Sequence, residues 1–266
     1  MAKSSRGGKR GVIGAGGAGG AGGAPAGTGT SGAVQVDDTQ QAQAMGASYA
    51  QFQSMTDDQK ADYIDSMATQ PVPAFLSDSA FQRFTYNSDM NDVPQLVDDK
   101  TLDSMGGTEL FRNVNASYNR SIDVGYKADE IAAQIQKGSI TRYSDSGGSV
   151  YGRGLYFADD YGSSAIYGNT SKNVKATAVV RCKLNSNAKA INYSSATAGM
   201  RSEIASGSKL GNSLKKIART DSDSAVSIFA LSKGYNVITS GHGYFNILNR
   251  NAVTMSKEIH AKGSQW

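Results

Sequence analysis

Cysteine is nearly absent: Cys182 is the only one in 266 residues. That excludes an internal disulfide and a multi-cysteine zinc site. With two histidines, the chain offers no convincing cluster of metal ligands, and no metal is expected. Long apolar runs are missing as well. Val12 and Ile13 are the only strongly apolar residues before Val34, so no secretory leader is expected, and no run is long enough to span a bilayer. Large side chains are missing from Gly11 to Gly32, a Gly/Ala/Thr/Ser tract, and 13 of the 31 glycines fall within the first 32 residues. Such a tract cannot build a core, so residues 1–35 read as a disordered, flexible arm. Acids are absent from the first ten residues. Four of the 27 basic residues sit there, and the remaining 23 balance the 23 acids. The net charge of +4 therefore belongs to the arm, and the body is not a basic protein. No P-loop, dinucleotide fingerprint, internal repeat or heptad is present.

Proline is confined to one end. Pro25, Pro71, Pro73 and Pro94 all precede residue 101. Residues 36–100 read as an acidic helical segment, and a boundary is placed near 98–103. Thr56-Asp57-Asp58-Gln59 is a capping box for a helix through Ala61, Ile64 and Ala68 that Pro71 ends. A second helix starts at Ser77 or Asp78 and buries Phe81 and Phe84. The acidic face of this segment reads as solvated, with a clamp on the following domain as the alternative. Residues 101–266 mix both periods. Strands are expected at 109–114, 174–184, 188–193, 235–239, 244–248 and 252–256. Helices are expected at 127–137, 198–206, 210–218 and 224–232, with Gly138 and Gly234 closing two of them. The pattern implies an α+β domain with a mostly antiparallel sheet. Cys182 lies in the alternating run 178–184, where a half-buried core residue and a reducing, cytoplasmic setting fit.

The organising stretch is Tyr151 to Tyr167. Leu155-Tyr156-Phe157-Ala158 is a short buried strand, Asp159 or Asp160 caps a following helix, and Ser164 and Tyr167 lie one turn apart on it. Gly152 and Gly154 serve either a turn or the close approach of a ligand to the backbone, with Arg153 adding charge. Gly-Arg-Gly-Leu-Tyr-Phe-Ala, five residues, then Ser-Ala-x-Tyr closely resembles the central motif of poly(ADP-ribose) polymerase-like ADP-ribosyltransferases. The resemblance implies that Tyr156 and Tyr167 sandwich the nicotinamide ring of NAD while Ser164 holds its carboxamide. It extends upstream to Leu110-Phe111-Arg112-Asn113. There Arg112 resembles the arginine of the toxin-like branch and implies a grip on the phosphate and ribose, chemistry suited to a guanidinium. Asn113 stands where the family has a glycine that binds the carboxamide through its backbone.

The third motif, a late strand that begins with a glutamate, matches 241–250, where no acid occurs. Tyr244 falls nearest the glutamate position, and His242 is a possible substitute. Glu258 and Glu203 read as surface charges. The resemblance implies a split antiparallel sheet and transfer of a single ADP-ribose, without elongation, to a host or viral protein, less readily to nucleic acid. It further implies a setting in a host cytoplasm or a virion, as in proteins of phage origin. The expected catalytic residues are Arg112, Tyr167 and Tyr244. Those holding NAD are Arg112, Asn113, Gly154, Tyr156, Ser164 and Tyr167. Two other readings stand beside this one: a degenerate domain that binds NAD or an ADP-ribosylated ligand without turnover, and a virion-associated structural protein whose basic arm contacts phosphate backbones.

Overall fold

The computed structural model describes residues 47–73, 76, 79–88, 90, 92–115, 117–119, 124–138, 151–168 and 177–261. The arm expected over 1–35 lies outside the described residues. The first elements are helices α1 (Tyr49–Ser54), α2 (Asp57–Thr69) and α3 (Ala80–Asn87). In α2 the Thr56 hydroxyl accepts the Gln59 N–H and the Gln59 side chain accepts the Thr56 N–H, so two orphan donors are satisfied reciprocally, as expected. Ser48 and Gln51 repeat the device on α1, which was not anticipated. Ser79 caps α3; Ser77 and Asp78 lie outside the described residues. Then follow strand β1 (Gln95–Val97), α4 (Asp99–Ser104), β2 (Glu109–Asn115), the paired β3 (Ser117–Asn119) and β4 (Val124–Tyr126), and α5 (Ala128–Gln136). The centre of the chain forms β5 (Leu155–Ala158), α6 (Tyr161–Gly168), β6 (Thr177–Leu184) and β7 (Ala190–Asn192). It closes with α7 (Tyr193–Ser206), α8 (Lys209–Ala218), α9 (Ser222–Ser232), β8 (Val237–Thr239), β9 (Tyr244–Ile247), β10 (Val253–Ser256) and β11 (His260–Ala261). Helix α7 starts five residues earlier than its apolar pattern suggested, because Asn192 caps it by accepting the Ser194 N–H.

The fold is α+β, built on a sheet in the order β1-β10-β6-β2-β5-β9-β8-β7, with β11 also on β6. Pairing is antiparallel except for β1 with β10 and β7 with β8. β2 and β6 share seven register pairs, whereas β2 meets β5 only where Phe111 faces Ala158. The sheet is thus two halves joined in its middle by a single register pair. Leu110, Val114, Val180, Cys182 and Met255 from one half pack with Leu155, Phe157, Val237 and Ile247 from the other, and α5 adds Ile131, Ala132 and Ile135. Cys182 is fully buried there, and burial pushes its thiol well above the usual range, so it is a core residue and not a nucleophile.

A second apolar cluster lies among the helices. Phe52, Ile64, Phe81 and Phe84 from α1 to α3 pack with Leu210, Leu214, Ala225, Ile228 and Phe229 from α8 and α9. Lys60 and Gln53 donate to the carbonyls of Ser232 and Leu231 at the end of α9. The boundary expected near residue 100 therefore does not divide the core, and the described residues all fall within one compact unit. The acidic face of α2 is largely exposed, as the solvated reading expected, and it also reaches across to α8 and α9: Asp57, Asp62 and Asp65 pair with Lys233, Lys209 and Lys216. These exposed pairs contribute only about 0–1 kcal/mol each.

Candidate functional site

Three segments that lie far apart in the chain become neighbours, because β2, β5 and β9 are adjacent strands. Ala158 at the end of β5 pairs with Phe111 on one side and with Tyr244 on the other. Helix α6 follows β5 and packs over β2, with the Tyr161 ring edge-on to Phe111 at 6.2 Å. Asp160 caps it: its carboxylate accepts the Ser163 N–H, and bonding to Ser163 holds it below the usual carboxylate range.

Side chains alternate along β2. Arg112 shares the row of Leu110 and Val114, opposite Val180, on the side that faces the α5 core; Asn113 shares the row of Phe111, on the side under α6. Arg112 is buried, and its guanidinium donates to the Tyr156 carbonyl at 2.8 Å. It spans the gap where the sheet halves part, so in this structure it braces β2 against β5. The two residues expected to act together leave their strand in opposite directions.

On the α6 side a short polar chain forms. The Ser164 hydroxyl donates to the Tyr161 carbonyl at 2.7 Å, and the Asn113 side-chain N–H donates to Ser164 Oγ at 2.7 Å. Because the serine proton is committed to a carbonyl, Oγ can only accept from Asn113. That sets the amide orientation and leaves Asn113 Oδ1 buried with no hydrogen-bond partner. A buried acceptor without a donor costs about 1–3 kcal/mol and marks a place where a ligand N–H or a water would be accommodated.

Tyr156 departs from its expected role as an open stacking face. It is 1 % exposed. Its hydroxyl accepts the Tyr151 N–H and donates to the Gly152 carbonyl, so the ring locks the 151–154 turn. Tyr156→Phe is expected to lower stability by about 1–2 kcal/mol in urea denaturation, because it leaves two backbone groups without their partner. Gly152 and Gly154 are likewise packing residues. A Cβ on Gly154 would lie 2.1 Å from Asn246 Oδ1, and one on Gly152 would lie 2.6 Å from Ser227 Oγ. Arg153 is anchored to α9: its backbone N–H donates to Ser227 and its side chain faces Asp221 at 3.6 Å.

The Tyr167 backbone belongs to α6, but its side chain lies outside the described residues. Tyr244 is half-buried and stacks on Tyr151 at 6.4 Å and 22°, with Tyr193 edge-on to Tyr151 at 5.6 Å. His242 is exposed on its loop. Glu258 accepts from the Asp99 N–H and the Ser256 hydroxyl, and Glu203 pairs with Lys233. Both serve the scaffold away from β5. Sequence reasoning missed Tyr151 and Tyr193 as an aromatic platform, and treated Asp159 only as a possible cap. The capping position went to Asp160, and the Asp159 carboxylate stands at the end of β5 beside Gly243. Two adjacent acids before one helix were the available signal, since one N-cap needs only one of them. No protein-family model matches the chain, and neither the curated proteins nor the solved structures include one that matches it.

Proposed function

We propose that this chain is an NAD-dependent mono-ADP-ribosyltransferase, moving one ADP-ribose to a protein acceptor with release of nicotinamide. The observation that carries the reading is the meeting of the two motif segments. Arg112 is bonded to the Tyr156 carbonyl and Asn113 to Ser164, across 44 and 51 residues of chain. The strand that begins with Tyr244 lies directly beside β5. A sheet whose halves share the single register pair of Phe111 with Ala158 also suits the split-sheet architecture that the resemblance implies. The partnerless Asn113 Oδ1 fits a carboxamide N–H, so Asn113 holds the amide through its side chain. Its position by Ser164 agrees with the role the motif assigns to that serine. The enclosed Tyr156 ring does not fit as a stacking face, and Arg112 supports the site as a brace between strands.

Isothermal titration with NAD, together with transfer of labelled ADP-ribose to proteins of a host lysate, tests the reading. Saturable heat and labelled protein are expected. Heat without label favours a domain that binds without turnover, for which the missing acid in 241–250 is the motivating observation. No heat sinks both.

A further inference from the structure

The family-like strand β9 lacks its acid, yet the fold brings one from the neighbouring strand to a position beside Gly243, the residue before Tyr244. We propose that Asp159 supplies the carboxylate of the transfer reaction, an assignment that rests on the function proposed above. Antiparallel pairing carries β5 past Ala158, opposite Tyr244, and the next residue, Asp159, donates its N–H to the Gly243 carbonyl at 2.9 Å. Asp159 is therefore the cross-strand neighbour of the residue just before Tyr244.

Its side chain is placed by Gly243. A Cβ there would lie 2.4 Å from Asp159 Oδ1 and 3.1 Å from Oδ2, so both carboxylate oxygens occupy the space that the missing side chain leaves. Gly243 also has φ +76°, a conformation other residues adopt at a cost. Asp159 is exposed, and its carboxylate joins no ion pair and accepts no hydrogen bond among the described residues. Other acids near the motif segments are engaged. Asp160 caps α6, Asp221 caps α9 and faces Arg153, and Asp99, Asp103 and Glu109 surround Arg181.

The step balances without a further reagent. The bond from ribose C1′ to the pyridinium nitrogen breaks, its electron pair stays on nitrogen, and nicotinamide leaves neutral. The ribose carries the positive charge, which a carboxylate alongside opposes. A lone pair of the acceptor then bonds C1′, and the acceptor proton passes to solvent.

The test is Asp159→Asn in the full chain, with Asp62→Asn as a control on a distant exposed ion pair. NAD affinity is measured by calorimetry, turnover by nicotinamide release and folding by melting temperature. Loss of the charge is expected to lower kcat by about 100-fold or more, as for removal of one transition-state contact, with Kd within about threefold. Gly243→Ala, which displaces the carboxylate, should lower kcat in the same direction, and the control should match the parent chain. Parent-like kcat in Asp159→Asn overturns this assignment while leaving the proposed function standing. A parent chain that neither binds nor cleaves NAD overturns both. One that binds without cleavage overturns Asp159 as the reacting carboxylate.

Discussion

A chain that begins at residue 101 is expected to lose its cooperative melting transition, with near-ultraviolet circular dichroism collapsing toward that of an unfolded polypeptide. Phe52, Ile64 and Phe84 are fully buried and Phe81 is 3 % exposed, all in the cluster completed by Leu210, Leu214, Ala225 and Ile228. Burying each such side chain stabilises by about 1.5–3 kcal/mol, so four together approach the whole 5–15 kcal/mol by which a domain is stable. The truncation also removes Gln95–Val97, the strand that covers β10, and exposes its edge. A shorter chain that melts cooperatively at the parent temperature would show that α1 to α3 are accessory and do not complete the core of α8 and α9.

The second large effect concerns the motif glycine. Gly154→Ala is expected to destabilise the fold by about 3 kcal/mol, lowering the melting temperature by about 6–12 °C for a chain of this size. The introduced methyl would sit 2.1 Å from Asn246 Oδ1 and 2.9 Å from the Ile247 carbonyl, with φ at +154°. Asn246 cannot swing aside cheaply. It is 1 % exposed and donates to the carbonyls of Tyr151 and Arg153, bonds that contribute about 1 kcal/mol each. The glycine hydrogen standing in place of that methyl points at Oδ1, a weak contact that partly compensates an acceptor with no other partner. The outcome separates two roles for the same residue. If Gly154 serves only to admit a ligand, the alanine variant keeps its stability and loses NAD affinity; if it serves packing, stability falls first.

Much of the local structure was legible because its causes are local. The Thr56–Gln59 box starts α2, and the spacing of Ala128, Ile131, Ala132 and Ile135 gives α5 its buried face. The apolar run 155–158 forms a strand buried at every position, and the alternation around Cys182 places it in the core. The strand-turn-helix of the central motif likewise follows from residues within about ten positions of one another. Less legible was how each side chain of the motif would be used. Tyr156 and the glycines read as ligand contacts from their order in the chain. Their hydroxyl and α-carbons are engaged by Gly152, Ser227 and Asn246 instead.

By itself, the sequence determined most of the helices and strands, the charge-neutral body and the juxtaposition within one motif, since capping, periodicity and composition act over one turn or one pleat. Only the tertiary structure decided that α1 to α3 complete the same core as α8 and α9. It alone decided that Arg112 and Asn113 face opposite sides of β2, and that an acid from β5 stands opposite Gly243. These depend on strand register and on contacts between residues 44 to 178 positions apart, which no local pattern encodes.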